Sequence, residues 1–178
     1  SFRVTVIHSS ITAGSIGLSF RRHPVVPWKL DVLQKNNWAS SNEISLLRSL
    51  IHQRKNMLIV GPTGSGKTSV LNALLSEIPN NQRIISIEDA SEIQLPSSSG
   101  LKLLTRQDLS DHIKELTPAE LLKYSLRLRP DRIVMGEIRF EEAKDFILTL
   151  STGHAGSLAT LHADNPHQAL FRLEMLVQ

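Results

Sequence analysis

The chain has 178 residues, of which 40% are hydrophobic and 21% are charged, the balance of a folded globular protein rather than a disordered one. It has no cysteine, so disulfides, thiolate metal sites and cysteine nucleophiles are excluded, and no apolar run approaches the ~18 residues that would span a bilayer. The net charge of +3 is dispersed and aromatic residues make up only 4%, so composition does not indicate nucleic-acid binding.

The first 22 residues predict two short strands joined by a turn. Apolar residues alternate with polar ones in two runs, Phe2, Val4 and Val6, then Ile16, Leu18 and Phe20. Two strands bury little by themselves, so we interpret them as the edge of a larger sheet. The chain starts at Ser1 without a leader pattern, which we interpret as a processed start or an excised segment. Prolines then indicate a linker over residues 24–39.

From residue 40 onward, helices alternate with apolar strands. Ser40 and Glu43 have the spacing of a capping box before a helical pattern, and Thr117 starts a second helix that we expect to carry leucines as far as Leu128. The other expected elements are strands at 57–60, 83–88, 132–136 and 157–161, and helices at 69–78, 141–150 and from 166 onward. This alternation predicts an α/β fold with a mostly parallel sheet and helices on both faces.

Residues 61–68 predict a phosphate-binding loop, because GPTGSGKT has two glycines followed by Lys and Thr at the P-loop spacing. The residues of the loop are Gly61, Pro62, Thr63, Gly64, Ser65, Gly66, Lys67 and Thr68. Glycines let backbone N–H groups wrap a polyphosphate, and the helix that follows presents its positive end to the phosphates. We expect Lys67 to reach the β- and γ-phosphates of a nucleotide and Thr68 to offer its hydroxyl to Mg²⁺.

Acidic residues follow two of the expected strands, at the edge of the sheet where a P-loop nucleotide lies. Glu88 ends the strand at 83–88, and Asp89 and Glu92 follow it. Glu137 follows the strand at 132–136, and Gly136 stands where a metal-binding aspartate is usual. Glu137 is therefore the acid that we expect to act on Mg²⁺ through water or to orient the attacking water.

His162 ends the strand at 157–161 and is expected to project to the same side of the sheet. An imidazole there could contact the γ-phosphate and report its hydrolysis, although a lone histidine is more often structural.

Four motifs in this order resemble those of the type II/type IV secretion ATPase superfamily. They are GPTGSGKT at 61–68 (Walker A), IEDASEI at 87–93 (the Asp box), LRLRPDRIVMGEIR at 126–139 (an atypical Walker B) and TGHAGSLATLHADNPHQALFRLEML at 152–176 (the His box). RVTVIHSSITAGSIGLSFRRHP at 3–24 resembles the end of the N-terminal domain of that family. The sequence is most similar to the Tad/Flp pilus and VirB-type branch.

The resemblance implies a domain organisation and roles for several residues. Residues 1–23 would end an N-terminal domain, 24–39 would be a linker, and 40–178 would be a RecA-like ATPase domain cut within its last helix. Glu92 matches the catalytic glutamate of the Asp box, Glu137 that of Walker B, and His162 the His-box histidine. Arginines that complete the active site of a neighbouring subunit match Arg21 and Arg22, with Arg139 and Arg106 as weaker candidates.

The implied function is a motor subunit that hydrolyses ATP with Mg²⁺ in a hexameric ring whose two domains move against each other. It would lie in the cytoplasm at the bacterial inner membrane, against platform proteins of a secretion or pilus apparatus, with no direct contact to nucleic acid. Two alternatives stay open. One is a RecA-like motor that translocates nucleic acid, and the other is a monomeric P-loop kinase or switch.

Overall fold

The computed structural model describes residues 2–22, 26–106 and 115–178. In chain order the elements are β1 (Phe2–Ile7), β2 (Gly17–Arg22), α1 (Leu30–Lys35), α2 (Ser41–His52), β3 (Met57–Gly61), α3 (Lys67–Leu75), β4 (Ile84–Glu88), β5 (Leu101–Leu104), α4 (Pro118–Ser125), β6 (Arg132–Ile138), α5 (Glu142–Ser151), β7 (Leu158–His162) and α6 (Pro166–Val177). The capping boxes at Ser40 and Thr117 are both present, which confirms the helix starts expected from the sequence.

The main sheet has five strands in the order β3-β7-β6-β4-β5, and every neighbouring pair is parallel. This confirms the predicted α/β class with a parallel sheet. Because all five strands run the same way, their carboxyl ends meet at one edge, where ligands bind in open α/β sheets. Strands β1 and β2 form a separate antiparallel pair, as the alternation at the start of the chain predicts.

Helices cover both faces of the sheet. Buried leucines and isoleucines of α1, α2 and α3 pack against Ile84, Val134 and Leu158 on one face. Residues of α4, α5 and α6 pack against Ile133, Met135 and Ala159 on the other. Successive side chains of a strand point to opposite faces, so strands covered on both sides are apolar at nearly every position, which is why β4 and β6 are so hydrophobic.

Two stretches differ from the sequence expectation. The expected linker contains α1, and Leu30 and Leu33 of this helix are buried in the core of the first face. The part of the linker at residues 23–25 lies outside the described residues. The helix that begins after Thr117 ends at Ser125 instead of reaching Leu128, so the expectation for Leu126 and Leu128 is wrong.

The early end of α4 has a local cause. The Ser125 hydroxyl donates to the Leu122 carbonyl at 2.7 Å, a bond within the helix that weakens its regular continuation. A 3₁₀ turn (Leu126–Leu128) follows, and Arg129 then adopts a left-handed conformation with φ of 51°. Arg129 precedes Pro130, and a proline disfavours the right-handed helical conformation in the residue before it.

Candidate functional site

The predicted phosphate loop connects β3 to α3 at the carboxyl edge of the sheet. Gly64 and Gly66 have φ of +78° and +89°, which side chains with a Cβ rarely adopt, and no atom lies within 4 Å of where their Cβ atoms would be. The loop is therefore strained for other residues and open on its outer side. A Cβ on Gly61 would lie 2.5 Å from the Ser65 hydroxyl oxygen, so a larger residue there would force the Ser65 side chain to move.

Lys67, the first residue of α3, is held inside this loop. Its Nζ donates to the carbonyl oxygens of Gly61 and Pro62, both at 2.8 Å, and the side chain is almost completely buried. Burial lowers the pKa of Lys67, Arg21 lowers it further, and the Glu137 carboxylate opposes both by raising it. The Lys67 ammonium is thus bound by carbonyl oxygens of the loop and lies close to the Glu137 carboxylate.

A line of polar contacts runs from Lys67 through His162 to Glu137. His162 ends β7 opposite Gly61 in the parallel pairing with β3, which places its ring beside the phosphate loop. Its Nδ1 lies 3.3 Å from Lys67 Nζ, and its Nε2 lies 3.0 Å from Glu137 Oε1. An ammonium group only donates, so the arrangement fits a neutral ring in which Nδ1 accepts from Lys67 and Nε2–H donates to Glu137.

A β-bulge orients Glu137. In the pairing of β6 with β7, Met135 faces Ala159 and Ile138 faces Leu161, so Gly136 and Glu137 share one residue of β7. Such an extra residue bends a strand and re-aims its side chains. A Cβ on Gly136 would lie 3.2 Å from the Ile87 carbonyl oxygen, so neighbouring β4 leaves little room for the aspartate that is usual at this position.

Arg139 completes the line beyond Glu137. Its Nη2 donates a hydrogen bond to Glu137 Oε2, and its Nη1 donates one to Asp89 Oδ2 at 2.6 Å. The hydrogen bond to Glu137 is the main reason that the pKa of Arg139 is raised. Asp89 in turn accepts from the Thr105 hydroxyl at 2.9 Å. Both carboxylate oxygens of Glu137 are thus engaged, one by His162 and the other by Arg139.

The two glutamates at and after the end of β4, Glu88 and Glu92, have different surroundings. Glu88 is buried at the wall of the cavity and accepts from the backbone N–H groups of Glu92 and Ile93 at 2.8 and 2.7 Å, so its carboxylate is already used to shape the loop. Glu92 lines the cavity above the phosphate loop, and its Oε1 lies 3.6 Å from Arg3 Nη1. Asn72 of α3 ties this loop down by bonding to the backbone of Glu92 and Gln94.

The cavity has a volume of about 400 Å³ and brings most of the predicted site residues together. Its lining includes Thr63, Gly64, Gly66, Lys67, Thr68, Glu92, Glu137, Arg139, His162, Arg21 and Arg22. Gly61, Pro62 and Ser65 belong to the loop but are not part of the described lining. Arg106 instead forms a β-bridge with Leu116 and lies outside that lining.

Arg3 also lines the cavity, and the motif reasoning did not find it. Arg3 stands opposite Arg21 in the antiparallel pair of β1 and β2, so both belong to the same face of the hairpin. The alternation along β1 places Arg3 on the polar face, but only the register against β2 shows that it lies beside Arg21.

Within residues 2–22, 26–106 and 115–178, no three His, Asp or Glu side chains form a cluster able to hold a metal ion by themselves. No helix in the same ranges has the length and apolar character needed to cross a membrane.

Comparison with known proteins agrees with the motifs. The sequence profile described as "Type II/IV secretion system protein" matches residues 2–178. The type IV secretion system protein VirB11 of Bartonella quintana is 37% identical over 141 residues, which cover 79% of this chain and 39% of that protein. PtlH of Bordetella pertussis is 37% identical over 140 residues, 78% of this chain and 41% of that protein. The chain thus spans about two fifths of the length of these curated relatives.

Solved structures show the same fold. The VirB11 ATPase of Brucella suis, crystallised with sulphate, superposes with a TM-score of 0.68 at 28% identity over 92% of this chain and 53% of that one. The pilus retraction motor PilT with bound ADP, at 23% identity, has a TM-score of 0.68 over 97% of this chain and 47% of its own. These neighbours confirm the RecA-like P-loop core. With the profile matching nearly every residue and relatives in the VirB-type branch, the chain belongs to the type II/IV secretion system protein family.

Proposed function

We propose that this chain forms the catalytic core of a motor subunit that hydrolyses ATP to ADP and phosphate and so powers secretion or pilus assembly. The observation that carries the proposal is the line of contacts from Lys67 through His162 to Glu137, at the rim of an open phosphate loop. These contacts place the Lys67 ammonium, which can bind phosphate, near the Glu137 carboxylate, which can orient water. Membership of the family supports this motor over a nucleic-acid motor and over a kinase or switch.

The residues present fit ATP and Mg²⁺. Gly64 and Gly66 leave the outer side of the loop open, and the amino end of α3 favours negative charge there. Thr68 and Glu137 would hold Mg²⁺, the Glu137 contact passing through water. Mg²⁺ usually takes one or two protein ligands together with substrate phosphates, so a site without a protein-only cage suits it. Bound there, the ion would neutralise charge on the β- and γ-phosphates.

Each side chain has a task in this scheme. Lys67 exchanges the carbonyls of Gly61 and Pro62 for phosphate oxygens. Glu137 or Glu92 accepts a hydrogen bond from the attacking water and aligns it with the γ-phosphorus. His162 touches both Lys67 and Glu137, so it couples phosphate capture at Lys67 to the orientation of the Glu137 carboxylate.

We further propose that the motor is a hexameric ring in which Arg21 or Arg22 reaches a nucleotide bound to the adjoining subunit, and in which domains move about the segment at 23–28. Such an arginine stabilises charge in the transition state of phosphoryl transfer. Arg21 and Arg22 line the cavity of their own chain, which supports a role toward nucleotide, and their action on the adjoining subunit rests on the family resemblance. The ring would act in the cytoplasm, at the inner membrane, on platform proteins of a secretion or pilus apparatus.

The test compares Glu137→Gln with Lys67→Ala in the full chain, with MgATP binding and phosphate release measured separately. Glu137→Gln is expected to bind MgATP like the unmodified protein and to lose about 100-fold or more in turnover, because a positioned base contributes about 10²–10⁴. Lys67→Ala is expected to lose binding as well. Glu174→Gln on the exposed side of α6 is the matched control and should change neither quantity. Undiminished turnover in Glu137→Gln would contradict the assignment.

Turnover per subunit, measured over a range of protein concentrations, tests the ring. A steep rise with concentration supports a site shared between subunits. Appreciable turnover that does not depend on concentration would instead indicate a site complete within one chain.

A further inference from the structure

We infer that Arg139 is a positioning residue that acts within its own subunit: anchored by Asp89, it fixes the orientation of the Glu137 carboxylate. The inference rests on the proposed function, since it assigns the device that holds the water-orienting acid of that same site. It also separates Arg139 from the arginines of the hairpin, which are candidates for reaching a neighbouring subunit.

The first support is the shape of the contact. The guanidinium of Arg139 places one nitrogen on Glu137 and another on Asp89, at 2.6 Å in the second case. A guanidinium is a planar fork of donors in fixed directions, so binding one carboxylate sets the direction offered to the other. Because Glu137 lies near the end of β6 and Asp89 directly follows β4, Arg139 links two strand ends beside the phosphate loop.

The second support is that both ends of this link are themselves held. Asp89 accepts from the hydroxyl of Thr105, whose backbone N–H donates to the Glu88 carbonyl at 2.9 Å just beyond the end of β5. At the other end, the backbone N–H groups of Arg139 and Phe140 donate to Glu142 Oε1 at 2.6 and 3.1 Å. Arg139 is thus fixed through its backbone as well as through its side chain.

Glu142 is buried, which strengthens its hold on the backbone at Arg139 and Phe140. The residue is only 4% exposed, so the bonds that it accepts from the turn between β6 and α5 are shielded from water. A carboxylate that binds two backbone N–H groups in a dry place sets the path of the chain there. The turn therefore presents the Arg139 side chain toward Glu137 and Asp89.

The consequence concerns turnover more than folding. The side chains of Arg139 and Asp89 are 42% and 41% exposed, and pairs as exposed as this contribute little to stability. Glu137, in contrast, is held at one oxygen by His162 and at the other by Arg139. Releasing the Arg139 side lets the carboxylate rotate away from the direction in which it aligns water.

The experiment measures kcat, KM, MgATP affinity and melting temperature for Arg139→Gln, Arg139→Lys and Asp89→Asn in the full chain. A small misplacement of a reacting group can lower the rate up to about 100-fold. Arg139→Gln should therefore lose about 10- to 100-fold in kcat, and Asp89→Asn about 3- to 10-fold, with KM, affinity and melting temperature nearly unchanged. The kcat of Arg139→Lys should lie between that of Arg139→Gln and that of the unmodified protein, because lysine offers one point charge in place of a planar set of donors.

The matched control removes another exposed ion pair, Lys123 with Asp145 at 3.6 Å between α4 and α5. Lys123→Gln and Asp145→Asn should leave kcat unchanged. Unaltered kcat in Asp89→Asn would overturn the inference, and so would a loss of MgATP affinity in Arg139→Gln that accounts for its whole loss of kcat/KM. The proposed function itself fails on a different result, namely no turnover in the unmodified protein or no effect of Lys67→Ala.

A mixing experiment distinguishes action within a subunit from action between subunits. Lys67→Ala and Arg139→Gln chains are combined and allowed to assemble. If both residues serve the same subunit's site, no mixed site is complete and activity does not recover. If Arg139 served a neighbour's site, an Arg139→Gln chain beside a Lys67→Ala chain would have a complete site, and the recovered activity would refute the inference.

Discussion

Arg132 begins strand β6 and Arg139 directly follows it, and the two arginines have opposite surroundings. Arg132, at the start, is completely buried and donates to three neutral acceptors: the Gln82 side-chain oxygen at 2.7 Å, the Ile51 carbonyl at 2.9 Å and the Gly156 carbonyl at 3.1 Å. Burial lowers the pKa of Arg132. Arg139, just past the end, is partly exposed and is paired with two carboxylates.

The contrast shows how one sheet separates stability from chemistry. At the amino end, Arg132 joins the end of α2, the turn before β7 and the segment before β4, all through bonds that cannot be rearranged without leaving buried acceptors unpaired. At the carboxyl end, Arg139, Glu137 and His162 are charged or ionisable and partly exposed, so their contacts contribute little to stability and set the geometry of the site instead. Changes at the first end should therefore appear in the free energy of unfolding, and changes at the second in turnover.

The largest expected effect on stability comes from Arg132→Met. Methionine fills part of the space but donates no hydrogen bond, so two carbonyls and the Gln82 amide lose a partner in a place that water does not reach. We expect the free energy of unfolding to fall by about 3 kcal/mol or more, because each buried acceptor left without its partner costs about 1–3 kcal/mol. Urea denaturation measures it. Arg127→Met, at an exposed position, is the control and should stay within about 0.5 kcal/mol. A loss under about 1 kcal/mol for Arg132→Met would remove the contrast between the two ends.

A smaller effect on stability is expected from Gly136→Ala. Gly136 lies at the bulge of β6, between Arg132 and Arg139. The added Cβ would lie 3.2 Å from the Ile87 carbonyl oxygen and 3.3 Å from Glu88 Cγ, so β4 and β6 must separate slightly. We expect the free energy of unfolding to fall by about 1–2 kcal/mol and turnover to fall as Glu137 shifts. Gly17→Ala is the control, because its Cβ would meet Ile7 at an ordinary 3.4 Å. A Gly136→Ala protein with normal stability and turnover would show that the bulge tolerates a side chain.

Much of the fold was predictable because its signals are local. The capping boxes at Ser40 and Thr117 and the apolar runs of β4 and β6 depend on neighbours in sequence, and the structure confirms them. Helix α1 was not predicted, because it has six residues and its N-cap, Lys29, makes no side-chain cap bond. Its stability comes from burying Leu30 and Leu33, which a sequence pattern of this length does not reveal.

The candidate site also has features that the sequence predicts and features that only the structure shows. The phosphate loop and the acids at strand ends follow from spacing and from the parallel sheet, whereas the partners of those acids follow from register. Glu88 and Glu92 are both acids at or after the end of β4 and both line the cavity, yet only the fold shows that the Glu88 carboxylate is occupied by the backbone N–H groups of Glu92 and Ile93. The bulge that aims Glu137 arises from the pairing of β6 with β7, and Asp89 meets Arg139 across 50 residues of sequence.

The smallest expected effect is a response to salt that differs between the two ends of β6. Raising the salt concentration from about 0.05 to about 0.5 M shortens the range over which exposed charges interact to a few ångström, but it hardly reaches buried groups. The Arg139–Asp89 pair should weaken, so the difference in kcat between the unmodified protein and Asp89→Asn should shrink by about twofold. Comparing the two proteins at each salt concentration cancels the effect of salt on nucleotide binding itself. The difference in unfolding free energy between the unmodified protein and Arg132→Met should stay within about 0.5 kcal/mol over the same range, since its bonds are buried. If the kcat difference instead persisted undiminished in high salt, the pair of Arg139 and Asp89 would be as shielded from salt as the buried bonds of Arg132, and the contrast between the two ends of β6 would be lost.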